Sequence, residues 1–504
     1  MFDVNLLEPE SLADADDELL VTAIAEWARV EAAAAARRLA VIGELVTRRT
    51  RADDAVNRSR WSCDYWDAAA SEVAAAEQIS HGMASSQMYL AAALRDRLPK
   101  VAALFLAGTI SARLFSTIAW HTTLITNPYL LRIIDGELAE IATGLGPLSA
   151  AKTAAAIDAL IDRHDPEAIR RHHDTARGRN VVVDTRNSEN GVTGLWGRLF
   201  ASDATALDRR LTQLARTVCD RDPRTLAQLR ADALGALAAG ADTLACACGN
   251  TECPAAGADA RSANVTVYVL AEQAALDVAA DPQFGNGDPH EDPAPETEEA
   301  PPAPAPKPQT RPALSGLVIG GGIVPTPLLA HLVKGGAVIR RLGHPTDLPA
   351  EAHYRPSQAL AAFIRARDLT CRFPGCDQPA SVCDIDHAIA HPLGPTHPAN
   401  LRSLCRKHHL LKTFWTDRHG WRDIQHPDGT IEWTSPTGHT YTTRPGSRLI
   451  FPNLCLTTGT ARPRPSPTPS SGDRGLMMPT RARTRFQDRT QRINAERALN
   501  KTPP

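Results

Sequence analysis

Apolar residues recur at helical spacing through most of the first 280 residues. From Asp14 to about Arg51 the stripe begins with Leu20, Ile24 and Trp27 and resumes toward residue 46. A 3.6-residue period of this kind predicts one long amphipathic helix, and six shorter segments between residues 68 and 163 repeat it. The sequence therefore predicts an α-rich domain over residues 1–280. The long helix packs in an intrachain bundle or serves as a dimerisation arm, and the pattern leaves both open.

In one short interval of this domain, apolar and polar residues alternate with a period of two residues. Residues 179–200 alternate around a polar turn at 187–191, which predicts a β-hairpin. Residues 265–270, VTVYVL, predict a buried strand that can pair with that hairpin. The expected fold is thus multidomain, with a mainly α N-terminal domain that contains a small β-hairpin.

Composition divides the rest of the chain. Residues 281–312 hold ten prolines and seven acidic residues against two basic ones, which predicts a disordered spacer between the helical domain and the C-terminal part of the chain. Residues 313–354 predict a connecting α/β segment and residues 355–450 a second folded module. The tail, 451–504, is basic from residue 461 onward and is predicted to be disordered. Two roles for this tail stay open: it makes nonspecific contacts with phosphates, or it only keeps the chain in solution.

Net charge, hydropathy and cysteine content exclude few classes of protein. The 504 residues carry a formal net charge of −2, which is no overall signature of a nucleic-acid binder. The acidic start lacks a signal-peptide pattern, and no run of eighteen apolar residues predicts a membrane helix. Ten cysteines at short spacings suit metal binding better than disulfides, so we expect a cytoplasmic protein without membrane partners.

The densest chemistry lies between Cys371 and Trp415. Two short-spaced pairs, Cys371-x4-Cys376 and Cys405-x2-His408, have the spacing of a closed tetrahedral zinc site. Residues 403–415 predict a helix, on which positions 405 and 408 face the same way. The predicted cofactor at these four residues is structural Zn²⁺.

A second set is interleaved with the first. Asp386, His387, Asn400 and His409 are residue types that hold a divalent cation and activate water. His409 is rotated about 100° from its neighbour in the helix and faces away from the zinc. Lys412, one turn further along, lies on that second face, where we expect it to contact a phosphate. Residues 382–389 predict the strand that carries the aspartate and histidine opposite the helix.

These eight positions in this order resemble the HNH endonuclease signature, the ββα-metal fold. The resemblance implies that His387 is the general base, that Asn400 orients it, and that Asp386 and His409 bind the catalytic metal. It implies an endonuclease with one catalytic cation, Mg²⁺ or Mn²⁺, that leaves 5′-phosphate and 3′-hydroxyl ends. The family commonly has cysteine where this chain has His408. The implied partner is nucleic acid, with double-stranded DNA favoured over RNA.

The wider chain resembles the actinobacterial HNH proteins with an uncharacterised helical N-terminal domain, including the mycobacterial thirteen-E-twelve repeat family. The segments that carry this likeness are LFLAGTISA, RTLAQLRADAL, RPSQALAAFIRARDLTC and GPTHPANLRSLCRKHHLLKT. Two alternatives stay open. The module is a zinc-stabilised nucleic-acid-binding regulator without cleavage, or the helical half is the working part and assembles homo-oligomers.

Each of the other candidate sites can also be explained without any binding function. Cys246, Cys248 and Cys253 supply three ligands for a second metal ion if a distant residue supplies the fourth, or they are reduced cysteines in a surface turn. The basic run 171–179 contacts nucleic acid or is a solvated helix end. After residue 420 a hairpin is predicted, whose Trp421, Ile431 and Trp433 pack as a small core or, for one tryptophan, stack on a base.

Overall fold

The computed structural model describes residues 7–50, 55–169, 180–184, 191–256, 268–278, 316–319, 321–334, 337–416, 420–458 and 477–501. The predicted spacer 281–312 and the whole basic run 171–179 lie outside the described residues, as do residues 459–476 of the tail.

Helices dominate the described chain, and its strands form small antiparallel sheets. The helices are α1 (Asp17–Thr50), α2 (Ala55–Arg58), α3 (Tyr65–Glu77), α4 (His81–Ala92), α5 (Pro99–Leu106), α6 (Ala112–His121), α7 (Pro128–Leu145), α8 (Ala150–His164), α9 (Ala201–Ala215), α10 (Leu226–Ala238), α11 (Gln273–Leu276), α12 (Thr326–Lys334), α13 (Gln358–Asp368), α14 (Arg406–Phe414) and α15 (Arg485–Lys501). The strands are β1 (Asn180–Val183), β2 (Leu195–Arg198), β3 (Val269–Leu270), β4 (Gly316–Val318), β5 (Ile323–Val324), β6 (Asp384–His387), β7 (Leu401–Leu404), β8 (Arg422–Gln425), β9 (Ile431–Thr434) and β10 (Thr440–Thr443).

Helices α1 to α8 form an N-terminal bundle around one hydrophobic core. The long helix α1 contacts α3, α4 and α5 of the same chain, as the intrachain alternative predicts. Half of its buried residues are alanines, and Ala33 and Ala36 are fully buried, so neighbouring helices approach closely. Ile24 and Trp27 of the predicted stripe are instead exposed. None of the described helices is long and apolar enough to cross a membrane.

The predicted hairpin is present, but its predicted third strand lies elsewhere. Strands β1 and β2 pair antiparallel, with Val182 opposite Trp196. Residues 269–270 pair with β4, and β4 pairs with β5, so the described end of the predicted strand joins the connecting α/β region and not the hairpin, while residues 265–267 lie outside the described residues. Alternation alone identifies a strand but not its partner, because pairing is decided by contacts far apart in the chain.

The C-terminal module, residues 355–458, contains a strand–strand–helix unit and a three-stranded sheet. Strand β6 pairs antiparallel with β7, and α14 follows β7 directly. The prediction of one helix over 403–415 is therefore wrong at its start. Residues 401–404 are a strand buried on both faces, which periodicity does not distinguish from a buried helix. Cys405 has extended backbone angles (φ −63°, ψ 155°) and stands at the N-cap of α14.

The module packs directly on the N-terminal bundle through helix α3. Cys63 and Tyr65 share a hydrophobic core with Phe373 and Trp415, and the Trp415 indole N–H donates to the Cys63 carbonyl at 3.0 Å. Gly375, at φ +72°, lies so close to this region that a Cβ would come within 2.7 Å of the Ile79 carbonyl oxygen. The expectation that a spacer separates the two parts is thus corrected, because they share a core.

The tail prediction is also corrected in part. Residues 485–501 form helix α15, which lies against the N-terminal bundle and inserts Ile493 at the edge of its core. Arg497 bonds Asp165 at 2.8 Å and Glu167 at 3.2 Å. The basic residues that suggested disorder are therefore held by acidic partners from distant helices, which composition does not reveal.

Asp67 of α3 connects the three parts of the molecule. Its carboxylate is almost fully buried and bonds Lys407 of α14 at 2.9 Å, Arg481 at 2.8 Å and Arg485 at 2.8 Å. Asp64, one turn earlier, accepts from the same two arginines. Burial raises the pKa of Asp67, but Lys407 and Arg485 lower it by more, so the carboxylate stays ionised.

The substitution Arg485→Ala tests this junction. It removes the bonds to Asp64 and Asp67 but leaves Arg481 and Lys407, so we expect the free energy of unfolding to fall by about 1–3 kcal/mol. Chemical denaturation of the full chain measures it. The matched control is Arg483→Ala, whose guanidinium pairs with the exposed Asp488, and it should change stability by less than about 0.5 kcal/mol. Equal effects would contradict the role of Asp67.

Candidate metal centres and active site

The four residues of the predicted zinc site come together. The ligand atoms of Cys371, Cys376, Cys405 and His408 all lie within 4.8 Å of one another. The Cys405 sulfur is 3.3 Å from His408 Nδ1 and 4.0 Å from the Cys376 sulfur. Tetrahedral zinc with Zn–S bonds near 2.3 Å and a Zn–N bond near 2.0 Å requires S···S and S···N separations of about 3.8 and about 3.6 Å. The residues fit zinc.

Packing around the site positions each ligand. The His408 ring stacks on Phe373 with centroids 4.0 Å apart, and Trp433 donates to the Arg372 carbonyl at 2.9 Å. Hydrogen bonds from Cys371 and Cys376 hold the pKa of Cys405 far below its usual range, while burial raises that of Cys371. Trp421, Ile431 and Trp433 are buried nearby, which confirms the small core predicted after residue 420.

Asp386 and His409 meet on the other side of α14. Asp386 Oδ1 lies 3.6 Å from His409 Nε2, and His409 Nδ1 is 2.9 Å from a carboxylate oxygen of Asp384. An ionised carboxylate only accepts, so Nδ1 donates to Asp384; in the neutral ring, Nε2 is then the nitrogen that has a lone pair, and it faces Asp386. Two metal bonds of about 2.1 Å span about 3.0–3.6 Å at ordinary coordination angles. The two lone-pair donors therefore have the separation of ligands on one cation.

The imidazole of His387 is held by a chain of hydrogen bonds. Its Nε2 is 2.9 Å from the Thr396 hydroxyl, and that hydroxyl donates to the His353 carbonyl at 2.5 Å. A hydroxyl has one proton, so Thr396 accepts from His387 and the proton sits on Nε2. Nδ1 is left with a lone pair. Burial lowers the pKa of His387 to about 4 against the smaller opposing effect of Asp386, so the ring is neutral at pH 7.

The family resemblance implied that Asn400 orients His387. In the structure, however, Asn400 makes no hydrogen bond to that imidazole. Its amide nitrogen donates to the carbonyls of Ile389 and Pro395, both at 2.9 Å, and its oxygen accepts from the Ile389 N–H at 2.8 Å. The side chain thus joins the two ends of the 389–395 loop. The loop leads directly to Thr396, the hydrogen-bond partner of His387, and the Asn400 carbonyl accepts from the N–H of Ala388, next to His387, at 2.7 Å.

Lys412 was expected to contact a phosphate, but in the structure it binds groups of the protein itself. Its ammonium points inward, donating to Asp386 Oδ2 at 2.7 Å and to the carbonyl of His387. Arg402, fully buried, donates to the same oxygen at 3.0 Å and pairs with Asp423. Burial raises the pKa of Asp386, but Arg402 and Lys412 lower it by a larger amount, so the pKa of this carboxyl lies below its usual value. Oδ2 is committed to two cations, and Oδ1 faces His409.

The structure adds residues that the spacing did not single out. Asp384 lies two positions before Asp386 on β6, hence on the same face, and strand periodicity alone was enough to find it. Arg402 stands opposite Asp386 in the β6–β7 register, which only the pairing reveals. Thr396 and Tyr354 stand at no sequence spacing from the other site residues that would have indicated contact with His387. The Tyr354 ring stacks on His387 with centroids 5.3 Å apart.

A second group of four side chains can hold a metal such as zinc. Cys246, Cys248 and Cys253 converge with Cys219, and their sulfur atoms lie within 4.8 Å of one another. The sequence analysis named the first three and left the fourth ligand unassigned. All the cysteines that the structure describes are free of disulfide bonds.

Comparison with protein families gives one match that covers most of the chain. The model described as a domain of unknown function, DUF222, matches residues 26–368. The chain belongs to the DUF222 family. The matched region contains most of the N-terminal bundle and the four-cysteine group of Cys219. It ends before Cys371, so the metal centre at Cys371–His408 and the Asp386–His409 pair lie outside it.

Similar proteins occur in Mycobacterium tuberculosis. The uncharacterised protein Rv2100 is 56% identical over 99% of this chain and 91% of its own length. The uncharacterised protein Rv3776 is 55% identical over 100% of this chain and 95% of its own. No solved structure matches the chain. These matches confirm the expected likeness to uncharacterised mycobacterial proteins, whereas membership of the thirteen-E-twelve repeat family and the HNH signature stay predictions.

Substitution of Cys405 tests the first metal centre. Cys405→Ala should remove one equivalent of zinc per chain and expose the module to protease, because structural zinc contributes about 10–16 kcal/mol in small motifs. Metal analysis and limited proteolysis measure both effects.

The matched control is Cys383→Ala. This thiol is buried in the same core but contacts the Pro379 carbonyl and is not one of the four ligands, so zinc should be retained. The expected cost is roughly 1 kcal/mol of stability from the small cavity. Loss of zinc from this variant alone would show that the ligand set is misassigned.

Proposed function

We propose that the C-terminal module is a metal-dependent HNH-type endonuclease that hydrolyses phosphodiester bonds in nucleic acid, with DNA as the favoured substrate. The observation that supports it best is the conjunction of two features. A neutral imidazole with its Nδ1 lone pair available lies next in sequence to a carboxylate whose free oxygen faces a second imidazole at 3.6 Å. A purely structural zinc module requires neither.

His387 is the general base of the proposed reaction. Its Nδ1 accepts a proton from the attacking water while the new P–O bond forms and the bond to the 3′ oxygen breaks. Thr396 keeps the opposite nitrogen protonated, so the base presents the correct face. Asp384 has the equivalent task for His409, because it keeps the proton on Nδ1 and leaves Nε2 as a ligand.

Asp386 Oδ1 and His409 Nε2 would hold the divalent cation, which supplies electrostatic stabilisation of the charge that builds on the phosphate and the leaving oxygen. Arg402 and Lys412 already balance Asp386, so two protein ligands bring little surplus negative charge to the cation. We therefore expect weak cation binding before substrate is present, as for Mg²⁺ sites completed by phosphate oxygens.

Surface groups beside His387 suit a nucleic-acid substrate. Tyr354 stacks on the imidazole yet remains 58% exposed, and Arg355 next to it is also exposed. An accessible ring and a guanidinium are the groups that stack on bases and contact phosphates. They would place a nucleotide next to the proposed base.

Plasmid cleavage by the purified full chain with Mg²⁺ or Mn²⁺ tests the proposal. Wild type should cut, and His387→Ala should lower the rate about 10²–10⁴-fold while remaining folded and zinc-bound, because the general base is lost but no zinc ligand is. His426→Ala, an exposed histidine of the same module paired with Glu432, is the matched control and should cut normally.

Absence of cutting by wild type, together with a salt-sensitive gel shift, would replace this proposal with a zinc-stabilised module that only binds nucleic acid. Equal cutting by wild type and His387→Ala would instead assign the activity to another site or to a contaminant.

Thr396 gives a second test of the mechanism. Thr396→Val keeps the shape but loses the hydroxyl, so the His387 tautomer is no longer held and kcat should fall about 10- to 100-fold with KM little changed. The pH–rate profile should shift as well. Thr396→Ser restores the hydroxyl and should recover most of the rate. A serine variant as slow as the valine variant would mean that packing, and not the hydrogen bond, is what matters.

A further inference from the structure

The four-cysteine group of the DUF222 region is assembled from two separate parts of the chain. Cys219 follows the end of helix α9, and Cys246, Cys248 and Cys253 lie in the loop after α10. The sulfurs of Cys219 and Cys246 are 3.5 Å apart although the residues are 27 positions apart in sequence. The group is therefore a product of how α9 and α10 pack, not of one local loop.

Hydrogen bonds between side chains of one part and the main chain of the other hold the two parts in this arrangement. Asp222 accepts from the Ala247 N–H at 2.8 Å, and the Arg224 guanidinium donates to the Ala245 carbonyl at 2.7 Å. Thr217 accepts from the Leu244 N–H at 3.0 Å. These bonds tie residues around Cys219 to residues on both sides of Cys246. The thiols consequently converge through a built scaffold.

The spacing of the sulfurs distinguishes metal from disulfide. A disulfide bond is about 2.05 Å long, whereas the edge of a tetrahedral zinc–thiolate site is about 3.8 Å. The 3.5 Å between Cys219 and Cys246 is close to the second value. Four thiolates are also the soft ligand set that favours zinc over Mg²⁺ or Ca²⁺. With four protein ligands the coordination sphere is closed, which is the form of a structural site and not of a catalytic one.

The unit around these thiols has only a small hydrophobic core. Its hydrophobic cluster, among the described residues, consists of Ala215, Leu229, Ala236, Ala241 and Leu244. Three alanines and two leucines bury little apolar area, and units with so small a core are commonly held by metals or disulfides. An ion bound to all four sulfurs would join the end of α9 to the loop after α10.

We propose that Cys219, Cys246, Cys248 and Cys253 bind a structural Zn²⁺ ion that holds helices α9 and α10 together. This site is independent of the nuclease proposal, and its ligands lie in the part of the chain that the family model matches. The full chain would then carry two structural zinc ions, one in each cluster.

Zinc content of the full chain, purified without added metal, tests the assignment. Wild type should contain two equivalents, and Cys219→Ser should contain one and lose protection from protease between α9 and α10. The control is Cys455→Ser, a half-buried thiol outside both clusters that contacts Ser447, and it should keep two equivalents. Plasmid cleavage is not used as a readout, so the result does not depend on the proposed activity.

Cobalt substitution of wild type covers the case in which Cys219→Ser does not fold. Titration of the metal-free chain with Co²⁺ should reach its end point at two equivalents, with thiolate-to-cobalt absorption from seven sulfurs. An end point at one equivalent would overturn the proposal. So would one zinc in wild type that Cys219→Ser leaves unchanged, or a Cys219–Cys246 disulfide in protein isolated anaerobically.

Discussion

The register of two short strands determines the chemistry of the C-terminal module. In the observed pairing Asp386 stands opposite Arg402, and His387 stands opposite Leu401. A slip of one residue would turn every side chain to the other face and would separate the carboxylate from its buried guanidinium. Because α14 begins directly after β7, the same register also sets where His408 and His409 lie. As a result the two histidines point to different groups, His408 to the cysteines of the first cluster and His409 to the carboxylate of Asp386.

Buried charge links this module to the rest of the molecule. Asp67 of the N-terminal bundle accepts from a lysine of α14 and from two arginines near the C-terminus. A buried carboxylate is costly unless it is paired, so the bundle, the metal-bearing helix and the C-terminal segment depend on one another. In this chain the N-terminal helical region thus forms one face of the environment of the Cys371–His408 cluster, because Cys63 and Tyr65 share a hydrophobic core with Cys371, Cys405 and Trp415.

Charge is arranged differently on the two faces of α14. The face with His408 has three thiols and a stacked phenyl ring, a set that binds a soft cation and excludes water. The face with His409 has carboxylates balanced by Arg402 and Lys412, with one oxygen and one nitrogen facing each other. The first arrangement suits a permanent ion. The second suits a cation that binds together with a phosphate.

Local spacing was sufficient for the helices of the bundle, the first zinc ligand set and the opposite directions of His408 and His409. Each of these rests on helical or strand periodicity or on ligand types within a few residues, which the sequence displays directly. It was insufficient where partners are distant in the chain. Cys219 as a fourth ligand, Arg402 opposite Asp386 and Thr396 against His387 arise only when separate segments pack.

The same reason explains the errors. Composition indicated a disordered tail, yet the arginines near residues 481–497 find buried carboxylates on helices hundreds of positions away. A buried strand at 401–404 looked helical because both faces are apolar or paired. The sequence by itself determined which residues are able to bind metals and move protons. Only the tertiary structure decided which of them meet, because hydrogen-bond and ion-pair partners are chosen by packing between distant segments.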